Sequence, residues 1–262
     1  MTIVKHEIKM NFKSLLIWSL TVGSLIFVFM MIYPSLANQL VDMEAVYSNM
    51  GSFSAAFGMD QISFTTPLGF YGIEAGAMLS LGGAMFAAMI GTSMLCKEEG
   101  NHTSEFLFTM PHTRTEIIAF KVISMAIIIL AFDAICFVCG VSSFIASGEN
   151  LEFKKFALYH VAQTFMHLQI GMICFGISAF LKKNNVGLGI GIAILLYFLQ
   201  MFVNISDKVE FLKYITPYCY SDAAKVFPTS SIDGELLWIG MMTGFIFLGI
   251  AFVKYNRKDL AS

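Results

Sequence analysis

Residues 118–146 read IAFKVISMAIIILAFDAICFVCGVSSFIA, a run whose only charged members are Lys121 and Asp133. A helix needs about 20 mostly apolar residues to cross the hydrocarbon core of a bilayer, and this run exceeds that length. The excess predicts a helix that tilts or that extends into the cytoplasm. Working outward, five more stretches have the same character: 14–33, 70–95, 157–181, 186–203 and 236–253. The fifth span, 186–203, is the shortest, and Gly187, Gly189 and Gly191 loosen its start. The whole chain agrees with its parts. Of 262 residues 57% are hydrophobic and 13% charged, with a mean hydropathy of +0.73, whereas a soluble domain carries about 25% charged residues. So few charges cannot cover a globule in water. The expected fold is an all-α integral membrane protein of six transmembrane helices, a single domain over 1–262.

Other classes recede. A net charge of −2 offers no bulk attraction to nucleic acid. Four of the five cysteines lie in apolar runs or at their edges and Cys219 has no partner on its side, which makes them small packing residues and leaves no disulfide framework and no metal set. The polar, basic first thirteen residues precede a run long enough to span and remain, which is not the pattern of a cleaved signal peptide.

Orientation follows from lysine and arginine in the loops. Lys5, Lys9, Lys13, Lys97, Arg114, Lys121, Lys182, Lys183, Lys254, Arg257 and Lys258 fall on one side, and only Lys154, Lys155, Lys208, Lys213 and Lys225 on the other. The richer side is cytoplasmic, and with it both termini. Lys5, Lys9 and Lys13 form one helical stripe and Val4, Ile8 and Phe12 its apolar neighbour, so 1–13 is expected to be an amphipathic helix in the headgroup layer that turns into the first span. Outside, 34–68 is expected to hold a short surface helix around Leu40–Val46. The segment 204–235 reads as two amphipathic pieces, 209–215 and 221–227, broken at Pro217 and expected to re-enter the outer leaflet before the last span.

The main cytoplasmic loop, 96–117, is not a plain connector. With the start of the next span it reads CKEEGNHTSEFLFTMPHTRTEIIAFK over 96–121. Gly100 breaks the second span's helix, and Thr103 or Ser104 caps a short new one carrying Glu105, Phe106, Leu107 and Phe108. Pro111 stops that helix. Thr113 then caps the third span, with Glu116 three positions on completing a capping box. A short helix that projects aromatic and acidic groups toward the cytoplasm suits docking on another protein.

This loop resembles the signature of the ABC-2-type permeases, the membrane subunits of one class of ATP-driven exporters. Glu99, Gly100, Thr103, Glu105, Leu107, Pro111, Arg114 and Lys121 occupy its positions, with Asn101 and His102 as an extra pair between the glycine and the threonine. Residues 212–218, LKYITPY, are similar to the family's Tyr-x-x-Pro-aromatic segment before the last span. The resemblance implies that two permeases, copies or sisters, pair around a pathway in the cell membrane of a bacterium. It further implies that cytoplasmic ABC ATPase subunits, which bind ATP and Mg, dock beneath them through Glu99, Gly100, Thr103, Glu105, Phe106, Phe108, Pro111 and Arg114. The chain itself has no phosphate-binding Gly-x-x-x-x-Gly-Lys-Ser/Thr loop and is expected to be non-catalytic.

Charge and polarity inside a bilayer call for a reason. Asp133 lies near mid-membrane, and His160, Gln163, Thr164 and His167 form one stripe on the fourth span. Two readings stand: Asp133, His160, Gln163 and His167 line a substrate path, or they are polar glue between helices. A stand-alone channel or secondary transporter would use Asp133, His160 and His167 directly, although no internal repeat of the inverted kind is visible. An intramembrane enzyme lacks Gly-x-Ser-x-Gly and His-Glu-x-x-His. The expected cargo of the exporter is a peptide or small amphipathic compound, such as an antimicrobial peptide.

Overall fold

The computed structural model describes residues 2–48, 50–100 and 112–258, and all regular structure among them is helical. Six helices are long and apolar enough to cross a membrane: α1 (Thr2–Ser48), α2 (Pro67–Ser93), α3 (Arg114–Ser147), α4 (Phe153–Ser178), α5 (Val186–Ile205) and α6 (Gly234–Arg257). The six expected spans are therefore present, with boundaries within a few residues of those expected for all but the first. The expected docking helix, with Thr103, Glu105, Phe106, Phe108 and its stop at Pro111, lies outside the described residues.

The first helix departs most from the expectation. No turn separates an interfacial 1–13 from a span; α1 is one helix of 47 residues, roughly 70 Å at 1.5 Å per residue. That exceeds the roughly 40–45 Å of a bilayer with its headgroups. The physical reason is local, since 2–22 contain neither glycine nor proline to break the helix. Lys5, Lys9 and Lys13 are exposed as expected, but Phe12 is 50% exposed, and the buried line runs through Ile3, Glu7 and Leu15. At its far end α1 passes through Pro34, where an outer loop was expected. Proline removes one amide donor from the helical ladder. The joint is held from outside the helix: the Tyr33 hydroxyl donates to the Thr65 carbonyl at 2.5 Å, and its ring lies 5.1 Å from that of Phe70.

Packing is organised around α2 and α4. The sequence of 76–93, GAMLSLGGAMFAAMIGTS, is rich in small residues, which lets neighbouring backbones approach closely. α2 packs against α4 and α5, α1 chiefly against α3, and α4 also against α6. At α5 the close approach is made by Gly189, where a Cβ would lie 2.8 Å from the Ala88 carbonyl; Gly187 and Gly191 meet no neighbouring helix. In α2, Gly72 faces Ala223 and Phe227, and Gly76 faces Tyr159.

Helix ends explain how the loops are placed. Thr113 and Glu116 form the expected capping box, with Glu116 N–H donating to Thr113 Oγ1 at 3.2 Å and Thr113 N–H to Glu116 Oε2 at 2.8 Å. α2 ends at Ser93, and a separate short helix, Lys97–Gly100, follows before the loop. Near that end the Met94 carbonyl is taken by the ammonium of Lys121 at 2.6 Å, a cation at a helix C-terminus. Before α6 the chain forms a 3-10 helix, Asp207–Tyr214, then Tyr218–Ser221 and Ala223–Thr229, broken at Pro217 as expected. Tyr218, Cys219, Tyr220, Ser221, Ala224, Val226 and Phe227 are buried in protein.

Candidate functional site

The interior stripe of α4 is divided among three neighbours. His167 is fully buried, and its Nδ1 donates to Asp133 Oδ1 of α3 at 2.8 Å; its Nε2 lies 3.4 Å from the Ser80 carbonyl of α2. Gly83 makes the room, since a Cβ there would sit 2.2 Å from the imidazole. The second oxygen of Asp133, Oδ2, is buried without a hydrogen-bond partner. One turn and more away, His160 joins neither. It shares a 2.9 Å hydrogen bond with the Tyr71 hydroxyl and is enclosed by the rings of Phe137, Phe156 and Tyr159. Tyr71 begins a π-helical turn, Tyr71–Ala75, that widens α2 at this level. The Thr164 hydroxyl turns back onto the His160 carbonyl at 3.0 Å. Gln163 reaches the outer segment instead, its Nε2 donating to the Ser221 carbonyl at 2.8 Å.

Gln163 belongs to the wall of a polar cleft between α2, α4, α5 and the outer helices. Ser80, Tyr159, Tyr197, Gln200, Tyr218 and Asp222 line it too. About 460 Å³ is free of protein atoms there, but a water-sized group can enter only about 50 Å³ of it. Asp222 caps the helix Ala223–Thr229 through the Ala224 amide at 3.0 Å, and its other oxygen accepts from Gln200 at 2.6 Å and Asn204 at 3.0 Å. Ser80 lines the cleft, and its carbonyl lies 3.4 Å from His167 Nε2, so the cleft floor and the Asp133–His167 pair are neighbours.

At the opposite, lysine-rich end, a lattice of charges ties the flanks of the 96–117 loop to four helices. The Lys121 side chain is completely buried and donates to Glu7 of α1 at 3.1 Å, to Met94 and to Glu98. Glu7, itself buried, also pairs with Lys97. Lys258, just past α6, pairs with Glu99 at 2.6 Å and donates to the Leu181 carbonyl at 2.8 Å. Arg114 donates to the Lys258 carbonyl at 2.8 Å and lies 3.4 Å from those of Tyr255 and Asn256, covering the C-terminal end of α6. Gly100 ends its short helix beside Lys183 and Asn184 of the α4–α5 loop.

Of the residues proposed from sequence, Glu99 and Arg114 thus meet around the end of α6 and Gly100 lies beside the α4–α5 loop, while Thr103, Glu105, Phe106, Phe108 and Pro111 lie outside the described residues. Asp133 and His167 meet each other; His160 and Gln163 each go elsewhere. Sequence reasoning marked Lys121 as a position of the loop signature but missed Glu7, Lys258 and Asp222 as site residues. A lone glutamate among the lysines of 5–13 was the available signal for Glu7.

No curated protein matches this chain. A family model, the ABC-2 family transporter protein, matches residues 1–260. With the match running over nearly its whole length and six apolar helices to carry it, the chain belongs to the ABC-2 transporter family, as a multi-pass membrane permease.

Proposed function

We propose that this permease is the membrane half of an exporter in a bacterial cell membrane, moving a peptide or small amphipathic compound while a separate cytoplasmic subunit binds ATP and Mg and hydrolyses the nucleotide. A second copy or a sister permease completes the pathway. The observation that carries this reading is the mounting of the 96–117 loop. Its two flanks are fastened to α1 through Glu7, to α3 through Lys121 and to the end of α6 through Glu99, Lys258 and Arg114. A force applied to the loop from below would therefore be shared by several helices at once. Family membership supports the same partner.

Docking itself falls to the aromatic and acidic residues inside the loop. Truncating an aromatic anchor at a protein interface commonly costs more than about 2 kcal/mol of binding. Phe106→Ala and Phe108→Ala should each release or loosen the ATPase on co-purification, and Glu105→Lys should disturb it through charge. Retention of a stoichiometric, fully active ATPase by all three variants would remove the loop from this role. Failure of the unaltered permease to hold any ATPase would favour the second reading, a transporter driven through Asp133 and His167. One observation speaks for that reading: Asp133 Oδ2 is buried with nothing bonded to it.

A further inference from the structure

We propose that the cleft between α2, α4, α5 and the outer helices binds a primary ammonium group. Its wall sets a buried acceptor that has no donor beside a carboxylate. Gln163 is 1% exposed, and donation from its Nε2 to the Ser221 carbonyl fixes which end of the amide is which. Oε1 is left as a buried acceptor with no donor among the described residues. Such an atom costs on the order of 1–3 kcal/mol until a donor arrives. Asp222 stands in the same wall with three neutral donors, Gln200, Asn204 and the Ala224 amide. A carboxylate offers about four lone-pair sites, so one remains, and no lysine or arginine forms an ion pair with Asp222 among the described residues. Lys225, three positions on, lines a different outer pocket.

Two open sites on Gln163 Oε1 and one on Asp222 match the three N–H donors of an ammonium group, and the negative charge of Asp222 favours a cation over a hydroxyl. The enterable space of about 50 Å³ exceeds the roughly 10–15 Å³ that one water needs on the same measure, which leaves room for a small head group and not for a bulky one. The ligand is therefore the amine end of a longer molecule, either the exported compound or the headgroup of an ethanolamine phospholipid. The link to cargo rests on the exporter reading; the binding does not.

The test uses the purified full-length permease without ATPase. Its thermal unfolding is followed against n-butylammonium chloride, with tetramethylammonium chloride, which has the charge but no N–H donor, and sodium chloride at equal ionic strength. Butylammonium alone should raise Tm saturably. Gln163→Leu should weaken its apparent affinity about tenfold, Gln163→Glu should strengthen it, and Asp222→Asn should abolish it. Should Asp222→Asn fail to fold, the two Gln163 variants decide. Equal responses to all three salts, or affinities unchanged in both Gln163 variants, would overturn the proposal and leave water as the occupant. Repeating the titration in phosphatidylcholine nanodiscs with and without phosphatidylethanolamine separates the sources: competition by the ethanolamine lipid assigns the cleft to a headgroup, and its absence to the exported amine. Loss of this binding leaves the ATPase co-purification unaffected, so the two readings fail separately.

Discussion

Lys121 has no exposed surface at all, yet it carries a charged group. It is tolerable because two carboxylates and a helix-end carbonyl surround the ammonium. Breaking a buried pair by removing one partner commonly costs about 3–5 kcal/mol, and without Lys121 the buried Glu7 would keep only Lys97. Lys121→Met should therefore lower Tm sharply, and Glu7→Gln added to it should recover part of the loss; a double variant no more stable than the single one would show that Glu7 does not depend on Lys121. In the interior, Gly83→Ala places a methyl group against the His167 ring. Overpacking of this kind costs about 1–3 kcal/mol, to be read from thermal unfolding. Asp133→Asn and His167→Asn separate the two roles left open by the stripe. Glue predicts lowered Tm with transport still measurable, whereas a path predicts folded protein without transport. None of these partnerships was legible in the sequence. Lys121 stands out there as a position of the loop signature but with no partner named, and Asp133 and His167 as two costly residues on different helices, because pairing is a property of space and not of spacing.

Elements were legible in proportion to how local their causes are. The capping box at Thr113 and Glu116 forms as read, because both halves lie within four residues. The break at Pro217 does too. The continuity of α1 was missed at Pro34, where proline is a local signal to stop and the support from Tyr33, Thr65 and Phe70 is tertiary. Pro34→Ala restores an amide donor to the ladder and should raise Tm; an unchanged or lower Tm would mean that the ring is needed for packing. Which glycine at the start of α5 makes a contact is tertiary too: Gly189 and not its neighbours touches α2. Gly189→Ala should destabilise through its clash with the Ala88 carbonyl, while Gly191→Ala, with open space around it, should gain roughly 0.5–1 kcal/mol of helix stability.

For the molecule as a whole, six spans were legible because each is a long apolar run, and orientation rests on the distribution of lysine and arginine. Cysteine introduced at Ser52 or Asn204 should react with an impermeant maleimide in intact cells, and cysteine at Asn184 should not; labelling at 184 from outside would reverse the topology. The arrangement of the helices was not legible, because apolar helices of similar composition do not announce their neighbours. That arrangement has a consequence for how the protein is made. α1 finds its chief partner in α3, and α2 finds its own in α4 and α5, while α4 also waits for α6. Helices that emerge consecutively from the ribosome are thus not each other's principal mates. A nascent chain halted after α2 would hold two helices in the lipid with Glu7 lacking Lys121 and the small-residue face of α2 uncovered. Assembly must wait while later spans are inserted between or beside earlier ones, and the interval is one in which the membrane insertion machinery, rather than the protein, keeps the unfinished faces apart.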